Sequence, residues 1–229
     1  MSDGAPPIVL WDIDGTISNN AGAGSLAMNR TFRERFGVEA EEPVAAIDFR
    51  GASDGWIVPT VAQHHGLDWG EEQQAAFVDH YCGVLAEMMA EWGGTLLPGV
   101  AELLVALDER DVPQGLGTGN FRRSAYVKLD YYGVGGHFLD GGFGDDSPDR
   151  PSLLAAGLER MRRHAAPDAG CVVIGDTVHD ITAARAIDAR VIAVETGFAE
   201  PQELADAQPD VLLTDLSDLD QALTAILSS

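Results

Sequence analysis

The stretch "VLWDIDGTIS", residues 9–18, joins an apolar run to a turn and contains two aspartates. The apolar residues predict a buried strand. Because side chains alternate along a strand, Asp12 and Asp14 project to the same side of the chain. Gly15 and Thr16 follow directly and predict a turn. Two carboxylates held this close require a cation, so the stretch predicts a charged site at one end of a sheet.

Apolar runs that end in Gly, Asp or Thr recur along the chain and alternate with amphipathic stretches. The predicted strands are residues 8–13, 112–117, 138–143, 171–174, 190–194 and 211–213. Between them lie stretches such as residues 100–107, whose apolar side chains recur at i, i+3, i+4 and i+7 and mark one helix face. This alternation predicts a doubly wound α/β fold, a parallel sheet with helices on both faces. Ligands of such folds bind at the carboxyl ends of the strands.

One interval departs from this alternation, because residues 21–92 have a helical pattern with little that reads as a strand. The interval is too long for a crossover connection. We therefore expect an inserted helical cap at residues 21–92 and a core built from residues 1–20 and 93–229. A cap that enters after the first strand would cover the strand ends, where it selects the substrate and excludes water. Arg50 and Asp54, in a polar break of this cap, are the residues expected to contact substrate.

The composition limits the class of function. The chain has 229 residues, 45% of them hydrophobic, which suffices for one substantial core. A formal net charge of -23, from 37 acidic and 14 basic residues, argues against nucleic-acid and anionic-membrane partners. The sequence has neither a membrane-spanning apolar run nor a signal-peptide pattern, so we expect a cytoplasmic protein. Cys82 and Cys171 match no metal-ligand spacing and are expected to be reduced core residues.

Two further predicted strands end at polar residues. The run "GLGTGN" places Thr118, Gly119 and Asn120 after one strand. The run "VVIGDTVHDI" places Asp176 and Asp180 after another. Because parallel strand ends lie side by side, the aspartates of these motifs can converge on a hard oxygen site of the kind that Mg²⁺ prefers. The threonine hydroxyl and the backbone N–H groups of the two residues after it suit phosphate oxygens.

A phosphate site also needs a side-chain cation for the charge on the phosphoryl oxygens. Arg150 lies between a predicted strand and a helix, where it can point into the cleft at the strand ends. Lys128, the only lysine of the chain, lies inside a helix and reaches the cleft only if that helix leans over it. We favour Arg150 and keep Lys128 as the alternative.

These motifs resemble those of the haloacid dehalogenase superfamily, and the inserted helices resemble the cap of its phosphoglycolate phosphatase-like members. The D-x-D-G-T pattern of the superfamily stands at residues 12–16, and its G-D-T-x-x-D pattern stands at residues 175–180. Thr118 takes the place of the second motif, and Arg150 stands where the superfamily usually has a lysine. The resemblance spans nearly the whole chain and implies a Rossmann-like core with a helical cap.

The resemblance implies a Mg²⁺-dependent phosphatase that acts on a small phosphorylated metabolite, such as phosphoglycolate or a sugar phosphate. Asp12 would attack phosphorus and form an aspartyl-phosphate. Asp14 would protonate the leaving alcohol and later deprotonate the attacking water. Thr118, Gly119 and Arg150 would hold the phosphoryl oxygens.

The resemblance also implies a set of metal ligands. Mg²⁺ would be held by the Asp12 carboxylate, the backbone carbonyl of Asp14 and Asp176. Asp180 would be a further ligand or an anchor for the waters on the metal.

Three alternatives stay open. A sugar-phosphate mutase of the same superfamily shares Asp14 and differs in its cap contacts. A haloacid dehalogenase uses the same nucleophile but binds no metal and lacks the second acid. A non-catalytic protein that binds a phosphorylated ligand is the alternative outside enzymes. The sequence decides neither the substrate nor the choice between monomer and homodimer.

Overall fold

The computed structural model describes residues 5–47 and 51–228. Arg50 therefore lies outside the described residues. The strands within them are β1 (Ile8–Trp11), β2 (Ser18–Asn19), β3 (Thr95–Leu96), β4 (Gln114–Gly117), β5 (Gly141–Gly142), β6 (Cys171–Gly175), β7 (Arg190–Val194) and β8 (Val211–Leu213). The α-helices within them are α1 (Ala23–Phe36), α2 (Asp54–His64), α3 (Glu71–Trp92), α4 (Val100–Asp108), α5 (Arg122–Tyr131), α6 (Arg150–Met161), α7 (Val178–Ala186), α8 (Pro201–Asp206) and α9 (Leu219–Leu227).

The main sheet is parallel, with the strand order β5-β4-β1-β6-β7-β8. The central strand β1 pairs with β4 on one side and β6 on the other, so that Trp11 lies opposite both Leu116 and Ile174. Each of the predicted strands contributes to this sheet. The strand predicted at residues 138–143 is shorter than expected, since only Gly141 and Gly142 pair with β4 as strand β5.

Both faces of the sheet are covered, because successive side chains of a strand point to opposite faces. Val9 and Trp11 of β1 pack in one buried cluster with residues of α4, α5 and α9. Ile8 and Leu10 pack in a second cluster with residues of α6 and α7. The structure therefore confirms the doubly wound α/β architecture, with the carboxyl end of β1 between those of β4 and β6.

A two-stranded antiparallel ladder, which the sequence did not predict, lies beside the sheet. Ser18 of β2 is opposite Leu96 of β3, and the backbone N–H of Leu97 donates to the carbonyl of Ile17 at 2.9 Å. These strands are too short to produce a periodic pattern. The ladder joins the two points at which the chain leaves the core for the inserted helices and returns to it.

The inserted helices α1, α2 and α3 have a buried cluster of their own. Its aromatic contacts include Phe32 and Phe77, whose ring centroids are 4.8 Å apart. Phe121, which precedes α5, packs in the same cluster. Among the described residues no strand lies between β2 and β3, as the helical pattern of this interval predicts. The division of the chain into a cap at residues 21–92 and a core stays a prediction.

The described helices include none that is both long enough and apolar enough to cross a lipid bilayer. Cys82 is buried, Cys171 is half-buried, and both are free thiols.

Candidate active site

The candidate site lies where β1, β4 and β6 end. Asp12 follows β1 directly, and its backbone N–H donates to the carbonyl of Ile174 at 3.0 Å. Thr118 follows β4, and Asp176 follows β6. The parallel register of the three strands thus places these three side chains next to one another, and all three are buried.

Three carboxylates form the most acidic part of the site. One oxygen each of Asp12, Asp176 and Asp180 lies within 4.8 Å of the others. Burial raises the pKa of Asp12 to about 6, with Asp180 contributing, although Arg150 opposes the shift. Burial, together with the charges of Asp12 and Asp180, raises the pKa of Asp176 to about 8. The cluster is therefore unfavourable in its fully ionised form unless a cation is added.

A divalent cation fits this cluster on two grounds. The ligands are all carboxylate oxygens, which suit a hard cation such as Mg²⁺. Three ionised carboxylates beside one guanidinium, Arg150, leave two uncompensated negative charges, which is the charge that Mg²⁺ neutralises. The Asp14 carboxylate is not one of the three.

The Asp176 carboxylate lies so close to the backbone at two positions, Gly15 and Gly197, that only glycine fits there. Its Oδ1 accepts from the Thr16 hydroxyl at 3.2 Å, and its Oδ2 accepts from the backbone N–H of Phe198 at 2.9 Å. Gly15 has φ of 87°, and a Cβ there would lie 2.5 Å from Asp176 Oδ2. A Cβ at Gly197 would lie 1.7 Å from the same oxygen. The glycine of the first motif therefore lets the loop after β1 lie against Asp176.

Asp180 is engaged by protein donors through both of its oxygens. Its Oδ2 accepts from the backbone N–H and the hydroxyl of Thr177, at 3.0 and 2.7 Å, and this capping box begins α7. Its Oδ1 accepts from Arg150 Nε at 2.9 Å. Asp180 thus takes part in the capping box of α7 and also lies beside the other two carboxylates.

Arg150 lies between two of the carboxylates. Its Nη2 is 3.0 Å from Asp12 Oδ1 and 2.5 Å from Asp180 Oδ1. The N–H groups of Nη2 are not aligned with either oxygen, so these contacts are ion pairs rather than hydrogen bonds, and the buried donor has no hydrogen-bond partner among the described residues. Burial lowers the pKa of Arg150, but Asp12 and Asp180 outweigh that effect and raise it above its ordinary value. Arg150 is therefore a fixed cation beside the Asp12 carboxylate.

Lys128 reaches the site from the other side. Its Nζ donates to both oxygens of Asp14, at 2.6 and 2.8 Å, and to Asn120 Oδ1 at 2.7 Å. Burial would raise the pKa of Asp14, but Lys128, followed by the amides of Asn120 and Asn20, holds it below its ordinary value. The sequence left Lys128 and Arg150 as alternatives for one cation. In the structure both lie at the site, and each forms an ion pair with a different aspartate of the first motif.

Thr118 and Asn120 form the end of the site at β4. The Thr118 hydroxyl accepts from the backbone N–H of Asn120 at 3.3 Å and from its Nδ2 at 2.8 Å. The Asn120 amide also donates to Asp14 Oδ2 at 2.8 Å. Gly119 lines the same cavity, so the expected phosphate-binding residues lie beside the aspartates of the first motif.

Asp54 begins α2 and is buried against the core. Its Oδ2 accepts from the backbone N–H of Phe121 at 3.0 Å and lies 3.4 Å from the Ser124 hydroxyl, so it caps the start of α5 from the inserted helices. Burial raises the pKa of Asp54 to about 6. Asp54 also lines the cavity, whereas Arg50, its partner in the sequence prediction, lies outside the described residues.

A cavity of about 440 Å³ connects these groups. Strand-end residues such as Asp12 and Thr118, here called its floor, line it together with residues of the inserted helices, whereas Asp176 and Asp180 are not among the lining residues. A sequence model of haloacid dehalogenase-like hydrolases matches residues 6–188. The chain belongs to this hydrolase family.

Individual relatives span nearly the whole hydrolase. It is 27% identical over 220 residues to a phosphoglycolate phosphatase of Synechococcus elongatus, an alignment that covers 96% of this chain and 98% of the relative. It is 26% identical over 223 residues to the probable phosphatase IndB of Dickeya dadantii, covering 96% of this chain and 95% of the relative. These relatives support a phosphatase-type hydrolase.

A solved structure shows the same fold. The crystal structure of CbbY from Rhodobacter sphaeroides in complex with phosphate matches this hydrolase with a TM-score of 0.74. The match covers 96% of this chain and 99% of the other, at 20% sequence identity.

Several residues around the first motif of the hydrolase were missed by the sequence reasoning. Asn20 Nδ2 donates to Asp14 Oδ1 at 2.7 Å, and the Tyr132 hydroxyl donates to Asn20 Oδ1 at 2.8 Å. Thr16 was read as part of a turn and is also a donor to Asp176. The contacts of Tyr132 and Thr16 join segments distant in sequence, so no local pattern signals them, whereas Asn20 lies only six residues from Asp14.

Proposed function

We propose that this hydrolase is a Mg²⁺-dependent phosphatase that cleaves a small phosphomonoester through an aspartyl-phosphate. The observation that supports it most is the separation of the two aspartates in the first motif. Asp12 lies among the carboxylates with Arg150, and Asp14 is paired with Lys128, yet both aspartates line one cavity. A nucleophile and a proton-transfer group can therefore act on the same substrate.

The two aspartates divide the reaction into two steps. In the first, an oxygen of Asp12 forms a bond to phosphorus while the bond from phosphorus to the alcohol oxygen breaks, and Asp14 gives that oxygen its proton. In the second, water attacks phosphorus, Asp14 takes the proton of the water, and the Asp12 carboxylate is released with inorganic phosphate. Thr118 and Arg150 hold the phosphoryl oxygens, on which negative charge is spread in the transition state.

The metal site of the proposal uses groups of this chain only. Asp12, Asp176 and the backbone carbonyl of Asp14 would hold Mg²⁺, which when bound supplies positive charge for the phosphoryl oxygens. Asp180 is already engaged by Thr177 and Arg150, so it fits the role of an anchor better than that of a direct ligand.

The proposal is tested with purified protein and p-nitrophenyl phosphate. We expect hydrolysis that requires Mg²⁺, stops on chelation, and is abolished in Asp12→Asn. Asp79→Asn is the matched control, because Asp79 is an exposed aspartate that pairs only with exposed Arg123 in the described structure. Mass spectrometry of quenched reactions should find a phosphoryl group on the peptide that contains Asp12.

The same experiments decide between the alternatives. Release of halide from a 2-haloacid without Mg²⁺ would favour a dehalogenase, and isomerised sugar phosphate without free phosphate would favour a mutase. Failure to turn over a broad panel of phosphomonoesters, with binding retained, would favour a non-catalytic protein and would reject the proposed function.

A further inference from the structure

The cavity is lined by two chemically different sets of residues. Its floor carries the charged and polar groups of the proposed phosphate site. The cavity is also lined by four apolar or aromatic side chains, here called the apolar wall: Met28 of α1, Val44 of the 3-10 helix Pro43–Ala46, Ile57 of α2 and Tyr81 of α3. All four are buried. A substrate with its phosphate on the floor therefore has apolar side chains in the same cavity for contact with its organic part.

The cations of the cavity are already committed. Of the lysine, arginine and histidine side chains in the described part of the chain, only Lys128 and Arg150 line the cavity. Lys128 is paired with Asp14, and Arg150 with Asp12. Asp54 adds a further buried acid to the cavity lining. Among the described residues, a second anionic group on a substrate would find no further cation in this cavity, which is costly for a buried charge.

The volume of the cavity also exceeds what a small acid needs. Cavities of about 300 to 1,000 Å³ with mostly apolar lining are typical of sites for small organic molecules. The cavity here, at about 440 Å³, falls in that range. Met28 adds an adaptable side chain that packs well against rings, and Tyr81 adds an aromatic face.

We propose that the substrate is the phosphomonoester of an uncharged, largely apolar alcohol that contains a ring, rather than a phosphorylated acid or a bisphosphate. The proposal rests on the proposed phosphatase activity and specifies its substrate class. It differs from the substrate in the name of the phosphoglycolate phosphatase relatives. The difference follows from the apolar wall, the paired cations and the position of Asp54.

The first test compares kcat/KM, in the presence of Mg²⁺, for benzyl phosphate, 2-phosphoglycolate and fructose 1,6-bisphosphate. Benzyl phosphate and 2-phosphoglycolate both release a primary alkoxide, so their difference reports binding of the organic part. We expect benzyl phosphate to exceed the other two by at least about tenfold. A preference for 2-phosphoglycolate or the bisphosphate would overturn the proposal.

The second test alters the apolar wall. Ile57→Ala should lower kcat/KM for benzyl phosphate by about tenfold while changing that for 2-phosphoglycolate little. Val61→Ala is the matched control, since Val61 is a buried aliphatic residue one turn further along α2 that does not line the cavity. The control should leave the ratio of the two substrates unchanged. Equal effects of both variants on that ratio would contradict a role for the wall.

Two further experiments distinguish a wrong substrate class from a wrong phosphatase assignment. If Arg50 supplies a cation to the cavity, 2-phosphoglycolate will be preferred and Arg50→Ala will remove the preference, which rejects the proposed substrate class but not the phosphatase activity. If no ester is hydrolysed, the proposed function fails, and calorimetry on Asp12→Asn decides the ligand class. Tighter binding of benzyl phosphate than of 2-phosphoglycolate would then support the apolar site, and the reverse order would reject it.

Discussion

Lys128→Met removes the cation of the buried pair with Asp14 and retains most of the aliphatic side chain. In the folded protein the Lys128 side chain is 4% exposed and its Nζ lies 2.6 Å from Asp14 Oδ2. The Asp14 side chain is 32% exposed. The variant therefore leaves a carboxylate that is partly open to the cavity without its cationic partner.

The cost of this change can be bounded from the geometry. Removing one partner of a buried ion pair typically destabilises a protein by about 3–5 kcal/mol. Asp14 keeps the amide donors of Asn20 and Asn120 and some contact with solvent, so we expect the lower end, about 3 kcal/mol. For a chain of this size, each kcal/mol changes Tm by about 2–4 °C. Lys128→Met should therefore lower Tm by about 6–12 °C near neutral pH.

The effect should depend on pH in a definite direction. Because Lys128 and its neighbours hold the pKa of Asp14 below its ordinary value of 3.8, the stabilisation is present above that pH. It is lost as the pH falls through the lowered pKa of the folded protein. The difference in Tm between the wild type and Lys128→Met should therefore stay nearly constant from neutral pH to about pH 4 and shrink as the solution is acidified further.

Thermal unfolding followed by circular dichroism measures this difference. Arg123→Met is the control, because Arg123 lies on the same helix but its pair with Asp79 is exposed, at 58% and 78% for the two side chains. Exposed pairs contribute little, so this variant should retain nearly the wild-type Tm. The reasoning is refuted if Lys128→Met is no less stable than Arg123→Met near neutral pH, or if its deficit grows on acidification.

Four further outcomes are expected. Arg150→Ala should raise KM and lower kcat in phosphatase assays, reducing kcat/KM by about a hundredfold. The choice of Arg150 as the cation for the phosphoryl oxygens is wrong if Lys128→Ala does this instead. Asp14→Asn should reduce kcat by about 10² to 10⁴-fold while Mg²⁺ affinity by calorimetry stays nearly unchanged; equal loss of both would contradict its role in proton transfer. The raised pKa of Asp176, about 8, means that its stabilising contribution is present below 3.8 and lost as the pH rises through about 8. Thermal melts in chelator should therefore show falling stability over that interval, and Mg²⁺ should restore more stability at higher pH. Asp54→Ala should lower Tm by about 2–4 °C, the effect of losing a helix cap worth about 1 kcal/mol, and Asp54→Asn should recover part of it. Equal melting of both Asp54 variants would argue against capping of α5.

The sheet was predictable because its strands are buried on both faces, which leaves continuous apolar runs in the sequence. The two aspartates of the first motif follow β1 rather than belonging to it, so the alternation of the strand does not fix their direction, and each pairs with a different cation. The ladder between β2 and β3 was not predictable, because two residues per strand carry no period. The length of β5 was overestimated for a related reason: apolar residues around Gly141 and Gly142 continue the pattern beyond the paired residues.

The contacts of Lys128 and Asp54 could not be predicted from the sequence. Spacing placed Lys128 within a helix, but whether its side chain meets Asp14 depends on how α5 packs against the sheet and the inserted helices. Asp54 was expected to face a substrate, whereas packing turns one of its oxygens toward the start of α5. Both outcomes depend on the approach of segments that are distant in sequence.

The charges around the first motif also affect whether its two aspartates have the protonation states that the proposed reaction needs. In the protein alone, the pKa of Asp12 is raised to about 6 and that of Asp14 is lowered, whereas a nucleophile must be ionised and an acid must carry a proton. Asp12 favours its ionised form once a divalent cation lies beside it. Asp14 favours its protonated form once the anionic phosphate of a substrate lies beside it, because a nearby negative charge disfavours the ionised carboxylate. The roles proposed for the two aspartates thus require both ligands.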